Sequence, residues 1–148
     1  MKRRPAWLRQ EQGSLLPLTI FYGFLSLVLI LLVVAATSLY LERKRLFTLA
    51  DGAALVGAEA FTLDDVSVAS GTPRPALRSA EVDRAVRDYL RGAPSEGLEA
   101  LRVESAGTAD GRSATVVLSA YWRPPVLSAL VPRGIRLEVT AVGRSVFG

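Results

Sequence analysis

The chain contains no cysteine and no histidine. Disulfides, thiolate metal sites and thiol nucleophiles are thereby excluded. So are the commonest general base and the commonest metal ligand. Lysine occurs only as Lys2 and Lys44, and both flank an apolar run, which leaves little for Ser/Lys chemistry. No phosphate-binding loop, dinucleotide fingerprint or calcium loop is written in the sequence. Asp64 and Asp65 are adjacent carboxylates, a pattern that ordinarily faces water. Trp122 beside Arg123 can stack on a ligand, although a strand-end aromatic is ordinarily core. No catalytic residue, cofactor or metal is expected, and no small-molecule substrate.

The 148 residues carry a formal net charge of +4 and a pI near 10.0. The charge is unevenly placed. Residues 1–14 hold Lys2, Arg3, Arg4 and Arg9 against Glu11, and Glu42-Arg-Lys-Arg45 is basic again. From Leu46 onward acids slightly outnumber bases. A nucleic-acid groove needs its cations on the folded domain, so no nucleic-acid partner is expected.

Between the two basic stretches, Ser14–Leu41 has no charged residue. About 20 apolar residues cross a hydrocarbon core of about 30 Å, and residues 15–41 exceed that. Tyr22 and Tyr40 stand near the two ends, where amphipathic rings suit an interface. Pro17 falls in the first turns of the expected helix, where a missing N–H costs little. A cleaved secretory signal has an apolar region of about 7–15 residues. This run is longer, and Glu42-Arg-Lys-Arg45 follows it as a stop. The lipid bilayer is therefore the expected partner, with a single span in the cytoplasmic membrane. The basic excess ahead of the span places the N-terminus inside and the C-terminal region outside.

The expected organisation is a basic cytoplasmic tail (1–14), a transmembrane helix (15–41), a juxtamembrane stalk helix (42–63) and a small exported α+β region (64–148). Leu46, Leu49, Ala50, Ala53, Ala54, Gly57, Ala58 and Phe61 recur at helical spacing. Ala50, Ala54 and Ala58 form one stripe, with Ala53 and Gly57 beside it, and small residues at this spacing admit a close neighbour. That neighbour is either the protein's own sheet or a helix of another subunit. On the second reading these five residues are an assembly surface.

Farther on, Gly71–Pro75 reads as a loop, and Ser79 as the cap of a helix over 80–91. Strands are expected over 98–105, 113–122 and 135–142, with a hairpin at 107–111. Arg123-Pro-Pro125 ends the second strand, and Val126–Val131 is an apolar connector. The expected fold is α+β: a transmembrane helix continuing into an Ala-rich helix, with a small three-stranded antiparallel sheet.

Glu11-Gln-Gly-Ser14, the apolar span, Leu39-Tyr-Leu-Glu-Arg-Lys-Arg-Leu46 and Leu49-Ala-Asp-Gly-Ala-Ala-Leu-Val-Gly-Ala58 together resemble the TadE/TadG-like family. These are pilin-like membrane proteins of the bacterial tight-adherence (Flp) pilus. The resemblance implies a membrane-anchored pilin-like subunit or accessory protein of a pilus-assembly or secretion system, acting by protein–protein assembly with other subunits. Prepilin-like members are processed after a glycine followed five residues later by glutamate. Here Gly13-Ser14 is followed by Leu18, so the processing signal is incomplete and the amino-terminal tail is expected to be kept. Two other readings remain open: a minor pilin of a DNA-uptake machine, and a membrane-anchored sensor or cell-wall-binding module.

Overall fold

The computed structural model describes residues 12–60, 66–69, 72–75, 77–95, 97–124 and 132–144. The chain divides into two compact units, one ending at Thr37 and the other beginning at Ser38. Helix α1, Gln12–Ala58, runs through the boundary between them.

In the first unit α1 has almost no buried side chain. Its most apolar window has a mean hydropathy of 2.7 and is 0% buried. A core helix of a soluble protein would bury that surface, whereas this helix is long and apolar enough to cross a bilayer and its apolar window is uncovered among the described residues. Thr19 and Thr37 donate their hydroxyls to the carbonyls of Leu15 and Val33 at 2.8 and 2.9 Å. Back-bonding of this kind satisfies a hydroxyl where no water is present. The helix begins earlier than the expected Leu15. Pro17 thus lies in its second turn, and the carbonyl of Gly13 loses its usual i+4 donor.

In the second unit the remainder of α1 buries one stripe. Leu46, Ala50, Ala53, Ala54 and Ala58 are fully buried, and Leu49 nearly so. The helix closes at Ala58 rather than Leu63, with Glu59 N–H and Ala60 N–H donating to Leu55, Val56 and Gly57 carbonyls. Phe61 lies outside the described residues.

A three-stranded antiparallel sheet packs on this stripe. Its strands, numbered as β3 (Glu99–Gly107), β4 (Ser113–Trp122) and β5 (Ile135–Arg144), follow a two-stranded ribbon of β1 (Val66–Ala69) and β2 (Thr72–Pro75). The sheet matches the expected fold class. β4 is central and buries Ala114, Val116, Leu118, Ala120 and Trp122 on one face, with Ser119 also buried on the other. Each of its large aliphatic side chains contributes about 1.5–3 kcal/mol by leaving water. β4 and β5 pair without irregularity, Leu118 opposite Val139 and Ala114 opposite Gly143. β3 alternates weakly because its pairing shifts twice, between Glu99 and Arg102 and between Val103 and Ser105. Ala100, at φ 50°, marks the first irregularity.

Two local expectations change. The segment around Gly71–Pro75 is not a simple loop, because Thr72–Pro75 pairs with Val66–Ala69. Pro73 and Pro75 are two residues apart, so both missing N–H groups lie on one edge of the strand and the other edge is free to pair. Ser79 is not the cap of the second helix. Helix α2 spans Ser79–Gly92, and Arg78 holds the cap position without a capping side-chain hydrogen bond. The Ser79 hydroxyl instead accepts from Thr108 N–H at 3.1 Å and donates to the Thr108 carbonyl at 3.2 Å. Its tertiary bonds tie the start of α2 to the β3–β4 turn. Val82 and Val86 then point into the core, and α2 lies along β3. Asp64, Asp65 and the connector Val126–Val131 lie outside the described residues.

Candidate assembly surface

The five small residues of α1 are enclosed by the protein's own elements. A Cβ on Gly57 would meet Val82 Cγ1 at 3.0 Å, Ala114 Cβ at 3.2 Å and Val86 Cγ2 at 3.3 Å. Gly57 therefore sits between α2 and β4. A Cβ on Gly143 would overlap the Ala54 carbonyl, so β5 crosses α1 there at backbone distance. Ala50, Ala53, Ala54 and Ala58 have 0% exposure in this single chain. The close neighbour required by the stripe is the sheet. In this fold the stripe is not open to a second subunit, which corrects the assembly surface expected at Ala50, Ala53, Ala54, Gly57 and Ala58. Gly13 and Ser14 lie in the first turn of α1.

Burying one face of a helix leaves the opposite face open. On α1 that face carries Tyr40, Lys44, Phe47, Asp51 and Leu55, spaced three or four residues apart. Tyr40 is 65% exposed, Phe47 49% and Leu55 50%. Phe47 and Leu55 bracket Asp51 on adjacent turns, so the open face combines apolar anchors with one charge of each sign around them. Helical periodicity marks the buried stripe in the sequence. The opposite face carried a weaker signal, two large apolar residues at positions where a solvated helix would be polar.

The sheet face away from the helices carries an ionic network beside Tyr121 and Val142. Arg136 bridges Glu104 at 2.9 Å and Glu138 at 3.1 Å, and Ser119 donates its hydroxyl to Glu104. The Ser119 bond, followed by the fields of Arg136 and Arg102, holds the Glu104 carboxyl below its ordinary range. This network ties the three strands together by their side chains. Trp122 is buried, and its indole N–H donates to Ser38 Oγ at 3.1 Å. Arg123 pairs with Glu99 at 3.0 Å. Trp122 is thus a core residue rather than a stacking platform, whereas Tyr121 on the opposite face is 38% exposed. Among the described residues no three Asp or Glu side chains converge as metal ligands do.

Asp110 organises the β3–β4 turn. Its Oδ1 accepts from Ser113 N–H at 2.7 Å, Arg112 N–H at 2.9 Å and Ser113 Oγ at 2.9 Å. These bonds, Ser113 N–H foremost, hold the carboxyl well below the usual carboxylate range. A carboxyl lowered on folding stabilises the fold above its unfolded value of about 3.9, and the stabilisation is lost as pH falls through the folded value. The contribution is therefore constant near neutrality and declines below about pH 4. In Asp110→Asn, melting temperature should fall at neutral pH, and the deficit relative to wild type should narrow as the medium is acidified. A deficit independent of pH would show that the carboxylate charge plays no part.

Residues 13–60 match the sequence model of the Flp pilus-assembly TadE/G-like family. The matched segment is the apolar part of α1 together with its buried stripe, and it ends just past the helix terminus at Ala58. This match supports a pilus-assembly-related role for a protein with a single apolar N-terminal helix. No curated protein and no solved structure matches the chain.

Proposed function

We propose that the protein is a membrane-anchored, pilin-like subunit or accessory protein of a Tad/Flp-type pilus-assembly or secretion system, with its amino-terminal tail retained. It acts by protein–protein assembly and not by catalysis. The carrying observation is that one helix supplies both the bare apolar segment and the helical layer of the sheet domain, while Phe47 and Leu55 remain uncovered on its outer face. The bilayer holds residues 15–41, the tail stays in the cytoplasm, and the sheet domain projects outside. Other subunits of the apparatus pack against the Phe47–Leu55 face.

The absence of cysteine makes a clean test possible. A single cysteine at Thr48→Cys, on the exposed side of α1, is treated in intact cells with a membrane-impermeant crosslinker that carries a maleimide for this thiol and a sulfonated succinimidyl ester for a lysine amine of the neighbour. A crosslink to a neighbouring subunit is expected. Phe47→Glu and Leu55→Glu in that background should each reduce it tenfold or more. Completing the burial of either side chain is worth up to about 1.5–3 kcal/mol, and the new charge adds a desolvation cost. Both variants should melt within about 0.5 kcal/mol of the parent, as surface changes do. No modification at Thr48→Cys would overturn the orientation, and undiminished crosslinking in both variants would overturn the assembly face.

A further inference from the structure

A groove of about 660 Å³ opens in the second unit between α1, the end of α2 and the approach to β3. Its wall includes Leu41, Lys44, Arg45, Thr48, Tyr89 and Leu98. The wall thus mixes cationic and hydroxylated groups with aliphatic ones. Glu42 pairs with Arg45 at 3.1 Å and offsets that cation. Lys44 is exposed and has no ion pair among the described residues. The groove therefore presents one uncommitted positive charge, and Tyr89 also lines it. Gly97, at φ 86°, lets the chain pass close over the Glu42–Arg45 pair.

Its position in the sequence supplies the second constraint. Leu41 is the last residue of the uncharged run, and Lys44 follows three residues later. At 1.5 Å per helical residue that is about 4.5 Å of rise. The polar layer on each side of a bilayer is about 5–7 Å deep, from a total of about 40–45 Å around a core of about 30 Å. If the span is membrane-embedded as proposed above, Lys44 lies at headgroup depth.

We propose that this groove seats the headgroup of one anionic phospholipid. Its phosphodiester would face Lys44, and the upper part of an acyl chain would lie along Leu41 and Leu98. A bound headgroup would steady the junction between span and domain without any contact from another subunit. The inference rests on the membrane reading, and its test separates the two.

The full chain is reconstituted in vesicles of phosphatidylcholine, with or without phosphatidylglycerol at about one-third of the lipid. Flotation after an alkaline wash reports insertion. Lipid retained per chain after mild detergent extraction is then measured by mass spectrometry. Selective retention of about one phosphatidylglycerol per chain is expected. Lys44→Gln should reduce that selectivity at least fivefold, the factor one cation near an anionic surface supplies. Ala93→Phe fills the groove wall without changing charge and should reduce it as much, with melting checked to confirm folding. Arg43→Gln, on the same helical turn but outside the groove wall, should retain most of it. Equal losses in Lys44→Gln and Arg43→Gln, with Ala93→Phe unaffected, would mean diffuse surface attraction and overturn the site. So would equal retention of the two lipids. Displacement of the lipid by inorganic phosphate alone would overturn the lipid as ligand and leave a free-anion site. Failure of the chain to float would instead overturn the membrane reading on which the inference stands.

Discussion

Gly143→Ala is expected to destabilise the sheet domain by about 3 kcal/mol or more, at or beyond the upper end of ordinary overpacking. The added Cβ would fall on the Ala54 carbonyl and close to Leu55 N. Both obstructing groups are main-chain atoms of a helix, so no side-chain rotation relieves the overlap. Either β5 lifts from α1 or the helix shifts on the sheet. Lifting β5 would open the core around Val139 and Ala141, both nearly fully buried. Denaturant melts of the chain in detergent micelles, followed by near-ultraviolet circular dichroism, measure the loss. Gly134→Ala should also destabilise, from a different contact: Gly134 precedes β5 with φ 68°, and a Cβ there would meet the Trp122 carbonyl oxygen at 2.8 Å. A Gly143→Ala variant that melts with wild type would show that helix and strand do not meet at backbone distance.

Ala54→Leu should lower stability by about 3 kcal/mol, again near the top of the overpacking range. Ala54 is fully buried against the sheet, and its carbonyl already touches the space left open by Gly143. Three additional carbons have no vacant volume to enter. The next residue provides the control. Leu55 points outward and is 50% exposed, so Leu55→Ala should remain within about 0.5 kcal/mol of wild type. Melts of the two single variants, compared under the same conditions, separate a core stripe from an assembly stripe. A folded Ala54→Leu protein that had lost only its association would return the small-residue stripe to the assembly role. The Gly143→Ala and Ala54→Leu effects share one contact and should not add.

The same stretch of α1 shows why one reading of a pattern can be sound while its use remains undecided. Spacing placed Leu46, Leu49 and the small residues on a single face, and they do share one. Spacing could not say what covers that face, because an adjacent helix and an adjacent sheet both require small residues at close approach. The answer came from Gly143 and Ala114, far away in sequence. β3 shows the same limit. Its weak alternation left the strand detectable, but the two register shifts depend on how β4 pairs with it. Ser79 carries the residue type of a helix cap, yet a partner in the β3–β4 turn takes its hydroxyl. Local propensity gave way there to a tertiary hydrogen bond.

By itself the sequence determined the apolar span, the amphipathic stripe that continues it, the residues of β4 and all but the last two of β5, and the Asp110-Gly111 turn. Each is a local property, set by hydropathy over one segment, by side-chain period or by turn chemistry. Only the tertiary structure decided that Ala50, Ala53, Ala54 and Ala58 serve the protein's own core and that Phe47 and Leu55 face outward. It alone also brought Lys44 and Tyr89 to one groove. These are meetings between segments distant in the chain. They follow from how the sheet and α2 use up one face of α1, which no single segment encodes.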